Sequence, residues 1–161
     1  MKKLILIVSL ILGQFCFSQV DYKKINKLSM DTEIDPYVEE FIKDAKDRGF
    51  YVRSFLVSRI DYMYFSDSLG VKLNDTRIGV VGADMRGFFL SPRLKGNPIK
   101  LRLTIYHEIG HIIKQNGKHT CETSCYDIMS AIAPRDLKPY LNDEFWALKV
   151  DEYFKWLNIK N

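Results

Sequence analysis

Residues 97–121 read NPIKLRLTIYHEIGHIIKQNGKHTC, and the fold is organised by how this stretch is read. Asn97 is a good helix cap, and Pro98 suits the first helical position, where its missing N–H costs nothing. Leu101, Ile105, Ile109, Ile112 and Ile113 then follow helical spacing and make one apolar stripe. The spacing predicts a helix that starts at Pro98 and ends near Gln115, with Asn116-Gly117 as a left-handed stop. The chain has only three histidines, and all of them lie here: His107, His111 and His119. At 100° per residue, His107 and His111 share a face roughly opposite the centre of the stripe.

His107-Glu108-Ile109-Gly110-His111 spells HExxH. The i, i+4 spacing puts two imidazoles one turn apart, within reach of a single zinc ion. Glu108 falls at the edge of that face. There it can take a proton from an attacking water and pass it to a leaving amine. A hydrolytic zinc site needs a third protein ligand and an open position. His119 is the nearest candidate, because the Asn116-Gly117 break lets the chain turn back toward the metal. A zinc-holding module without turnover also fits these residues.

HExxH, a glycine turn, a histidine and then Asp127-Ile128-Met129-Ser130 resemble the metzincin clan of zinc metallopeptidases. The usual string there is HExxHxxGxxH, followed by a tight turn that carries a methionine. The resemblance implies zinc on His107, His111 and His119, Glu108 as general base and Met129 as a hydrophobic floor. It implies an α+β zincin fold: a small twisted mixed sheet with a helix before it, a long HExxH helix, the methionine turn and a C-terminal helix. It also implies hydrolysis of peptide bonds, with a peptide or protein as substrate. Two departures stand out. Lys114 occupies the place of the clan's glycine, and His119 follows His111 by eight residues rather than six. A competing resemblance, to the gluzincin group, would put the third ligand on a glutamate of a later helix, and Glu144 is the residue that could supply it.

The chain of 161 residues is of single-domain length, and 47% apolar with 27% charged residues is an ordinary folding composition. Residues 1–18 have the build of a secretory signal peptide, with Lys2 and Lys3 before an apolar run from Leu4 to Leu12. That run is short for a bilayer span, so no stable membrane span is expected after cleavage, and a short membrane anchor is the weaker reading. A lipid on Cys16 is disfavoured by the bulky Phe15 beside it. The destination is then periplasmic or secreted, and a monomer is expected. Loss of Lys2 and Lys3 lowers the formal charge from +4 to +2. No basic tract remains to suggest a nucleic acid partner. Cys121 and Cys125 are then an even pair in an exported chain, which points to a disulfide.

Residues 19–34 are polar and without clear period, and are expected to be a lead-in or short pro-segment. Asp21 or Asp31 from that segment, or Asp35 directly after it, could cap the metal. The resemblance implies that residues 35–161 form a zinc metallopeptidase domain. DPYVEEFIKDAKDRG predicts a first helix over about 36–48, with Asp35 as cap and Gly49 as stop. FYVRSFLVSRIDYMYFS, at 50–66, is rich in aromatic and β-branched residues and predicts one long or two short strands. RIGVVGADM and RGFFLSP predict two more, the second a candidate edge strand for docking a peptide. A last helix carries Trp146, Val150, Tyr153, Phe154 and Leu157 on one face, which reads as core. Tyr126 and Tyr140 read as ordinary amphipathic tyrosines rather than oxyanion donors.

Overall fold

A computed structural model describes residues 29–67, 78–124, 126–132 and 134–158. The expected signal peptide and Cys125 lie outside the described residues, and the Cys121–Cys125 bridge with them. The fold is α+β, with four helices and a small mixed sheet among the described residues. In chain order the elements are β1 (Ser29–Met30), α1 (Asp35–Asp47), α2 (Arg53–Arg59), β2 (Tyr62–Phe65), β3 (Gly79–Val81), β4 (Gly87–Leu90), α3 (Pro98–Lys114), β5 (Cys121–Ser124), β6 (Ser130–Ile132) and α4 (Asp143–Leu157). None of these helices is long and apolar enough to cross a membrane.

The main sheet has the order β1-β2-β4-β3. β1 and β4 each run parallel to β2, while β3 runs antiparallel to β4. β4 is therefore interior, and among the described residues the edge on its side is β3. This corrects the expectation that RGFFLSP is the edge strand. Met63, Phe88 and Leu90 alternate onto the buried inner face. Tyr62, Tyr64 and Phe89 cluster on the other face, with ring centroids 4.8–5.7 Å apart.

α3 crosses behind the inner face and is the hub of the molecule. Asn97 caps it as expected, its Oδ1 accepting from the Lys100 N–H at 3.1 Å. The helix is buried well beyond a single stripe: Leu103, Thr104, Tyr106, Glu108 and His111 are buried along with Leu101, Ile105, Ile109 and Ile112. α1, α4 and the sheet enclose it. Tyr106 is fully buried between Phe41 of α1 and Trp146 of α4, edge-on to both at 5.1 Å. Its hydroxyl donates to Asp44 at 2.7 Å, which satisfies the ring's one polar atom. α4 buries Trp146, Val150, Tyr153, Phe154 and Leu157, the face read from its sequence.

Three local readings change. Residues 53–59 are helical rather than extended. Val52, Leu56 and Ile60 are all buried, and their i, i+4, i+8 spacing outweighs the β-branched and aromatic composition. The helix before the sheet begins at Asp35, so that residue is its first turn rather than its cap. Residues 29–34 also belong to the fold. β1 pairs with β2, the Asp31 carboxylate accepts from the Phe65 N–H at 2.9 Å, and Ile34 is fully buried. Asp31 is thus spent on the sheet and Asp35 on α1.

Candidate metal centre

The HExxH turn lies in the C-terminal half of α3, under β3, the edge strand of the sheet among the described residues. His107 and His111 each make one bond through Nδ1. His107 Nδ1 lies 2.8 Å from the Ile128 carbonyl oxygen, and His111 Nδ1 lies 2.9 Å from that of Asn116. A carbonyl only accepts, so the proton of each neutral imidazole sits on Nδ1. Both Nε2 atoms are then bare lone pairs, and they face each other at 2.9 Å. Two acceptors at that distance repel unless a cation lies between them. Burial pushes the His107 imidazole down to about 4 and lowers His111 as well. Both rings are therefore neutral at pH 7, the state that ligates metal.

His119 joins them from the loop after α3. Its ring stacks on His107 at 5.1 Å and meets His111 edge-on at 5.0 Å. One ligand nitrogen from each of the three lies within 4.8 Å of the others. The return is made at an unexpected residue: α3 ends at Lys114, and Gln115 itself takes the left-handed conformation (φ 51°, ψ 40°), not Asn116 or Gly117. Asn116 is then placed so that its carbonyl reaches His111 while its side chain accepts from the Lys118 N–H at 3.1 Å. The three imidazoles, two of them oriented by backbone carbonyls, form a group that could hold a metal ion.

Residues 127–130 close the site from below. Thr120 N–H donates to the Met129 carbonyl at 2.9 Å, and Ile128 supplies the carbonyl that orients His107. Met129 is buried against the helix at Gly110, between the two histidines. A Cβ at Gly110 would stand 2.7 Å from Met129 Sδ and 2.9 Å from Tyr153 Oη, both too close. That hydroxyl donates to the Tyr106 carbonyl at 2.7 Å, so it cannot move freely. Gly110→Ala should therefore destabilise the fold by about 1–2 kcal/mol, overpacking outweighing the gain in helix propensity. Denaturant unfolding checks this, and an unchanged midpoint would refute the tight seat.

Glu108 is buried at 4% exposure beneath β3. Desolvation raises its carboxyl to about 8, and a backbone hydrogen bond from Val81 pulls the other way. A cleft of about 700 Å³ opens over these side chains, with Gly79–Val81 along one side and Asp127, Ile128 and Ser130 along the other. Glu144 is exposed in the first turn of α4 and stands apart from the histidine group. Tyr140 is buried, Tyr126 is half-exposed, and neither lines the cleft.

The sequence reading overlooked Gly79 and the carbonyls of Asn116 and Ile128. A lone glycine inside a strand pattern is a signal for close backbone approach. The two carbonyls carry no side-chain signal at all. The chain matches no protein-family model, no curated protein and no solved structure.

Proposed function

We propose that this chain is an exported zinc-dependent metalloendopeptidase of the metzincin type. The observation that carries the reading is the pair of unprotonated Nε2 atoms facing each other at 2.9 Å, with a third imidazole beside them. The order of elements supports it: helix, mixed sheet, HExxH helix, methionine turn and C-terminal helix. A zinc ion on His107, His111 and His119 would act as a Lewis acid, lowering the pKa of a water and polarising a peptide carbonyl.

The remaining work falls to the chain's own groups. A substrate in extended conformation can pair with the edge strand β3, which borders the cleft above Glu108. Glu108 is neutral at pH 7 in the metal-free chain, and its carboxylate form is favoured beside a bound cation. As a carboxylate it accepts a proton from the attacking water as the new C–O bond forms. It then delivers that proton to the amide nitrogen as the C–N bond breaks. The carbonyls of Ile128 and Asn116 hold His107 and His111 in the tautomer that presents Nε2.

Metal analysis of the purified chain, followed by digestion of a broad peptide library, tests the reading. One zinc per chain and cleavage abolished by a chelator are expected. Zinc without cleavage would mark a binding module on the same fold. Absence of zinc binding would overturn both.

A further inference from the structure

β3 alternates across the sheet, and its inner face carries Gly79 and Val81. Gly79 pairs with Leu90 and Val81 with Phe88, both of which point into the core. Gly79 leaves an inner-face position empty, and Glu108 fills it. A Cβ built on Gly79 would lie 2.4 Å from Glu108 Oε1, 3.1 Å from its Cδ and 2.7 Å from Thr104 Cγ2. Two residues on, Val81 gives the same carboxyl a backbone hydrogen bond. Thr104 is held in turn, its hydroxyl donating to the Lys100 carbonyl at 2.7 Å. The carboxyl is therefore boxed by the Gly79 backbone, Thr104 and Val81.

No backbone conformation requires glycine at 79; the contacts of its absent side chain with Glu108 and Thr104 do. Its φ is not in the left-handed region, and elsewhere a strand glycine only weakens the strand. We propose that Gly79 is a positioning residue: the missing side chain on the edge strand is the slot that sets where the Glu108 carboxyl sits in the cleft that the histidines also line. The role in turnover rests on the peptidase reading; the slot itself does not. Any side chain at 79 must push the carboxyl along the cleft.

Two measurements on the full chain separate these layers. The first is a thermal double-mutant cycle on metal-free protein, with Gly79→Ala, Glu108→Ala and the pair. Gly79→Ala should lower Tm by roughly 5 °C or more with Glu108 present and by much less in the Glu108→Ala background. The contact with Thr104 is common to both backgrounds and cancels. If Gly79→Ala alone does not fold, a double variant that does fold shows the same dependence on Glu108. Equal damage in both backgrounds overturns the slot.

The second measurement is turnover of zinc-loaded protein. Gly79→Ala should keep one zinc per chain and a KM near the parent's, while kcat falls about 100-fold, the loss that a misplacement near 1 Å can cause. Parental kcat in Gly79→Ala overturns the positioning role even if the parent is a good peptidase. A parent that cuts nothing removes the peptidase reading, and the thermal cycle still decides the slot.

Discussion

Glu108→Gln should bind one zinc per chain like the parent and lose peptide hydrolysis by a factor of about 10²–10⁴, the usual contribution of a positioned general acid–base group. The substitution isolates one property. Glutamine keeps the shape of the side chain, so the slot beside Gly79 stays filled and Thr104 keeps its neighbour. No proton can be taken up or delivered, however. The three imidazoles are untouched, because their orientation comes from Ile128, Asn116 and the stacking of His119 on His107. Stability should not suffer. Burial holds the metal-free Glu108 carboxyl protonated up to a pH of about 8, and the amide is neutral in the same way. At pH 7 the metal-free variant should therefore melt no lower than the parent. Zinc content, kcat on a peptide taken from a library digest, and a melt of the metal-free protein check the three statements together. A variant that cleaves as fast as the parent would remove Glu108 from the mechanism. A variant that loses zinc would show that the residue acts on the metal site instead.

What was legible in the sequence follows from how local each signal is. α3 could be read closely because its start is set by two adjacent residues, Asn97 and Pro98, and its HExxH turn is contiguous. The buried face of α4 could be read because it is periodic over four turns. Residues 50–59 were misleading because composition and period conflict there: Phe50, Tyr51, Val52, Phe55 and Val57 favour strand, while the burial of Val52, Leu56 and Ile60 makes a helix. The stop after α3 was displaced because Gln115 takes the left-handed turn, with Gly117 free two residues later; the bonds made by Asn116 hold that geometry. Around Glu108 the sequence showed the chemistry and not its confinement. Gly79 lies 29 positions earlier in the chain and meets Glu108 only through the crossing of β3 over α3. No local pattern carries a contact of that kind.

His119→Ala should weaken zinc binding by roughly 10³-fold or more, well beyond the 10–100-fold that loss of an outer-shell partner causes, while Glu144→Ala should leave it unchanged. The eight-residue spacing from His111 is where the chain departs from the metzincin pattern, so the third ligand is the point to test. Three features of the loop favour His119. Gln115 reverses the chain directly after α3, and the Asn116 carbonyl is pinned to the His111 ring, so the loop starts against the site. At its far end Thr120 N–H is bonded to the Met129 carbonyl, next to the residue that orients His107. The loop that carries His119 is thus tied at both ends to groups that orient the other two ligands, and the extra residues are taken up in between. Glu144 has none of this: it is exposed in the first turn of α4, where a carboxylate suits the helix N-terminus without any ion. His119 is only partly buried, so its removal should leave the metal-free fold intact, and the lost affinity can be assigned to the ligand itself. A competitive zinc titration of the two variants against the parent reads the difference directly. Parental affinity in His119→Ala would move the third ligand off the loop, and a large loss in Glu144→Ala would place it on α4.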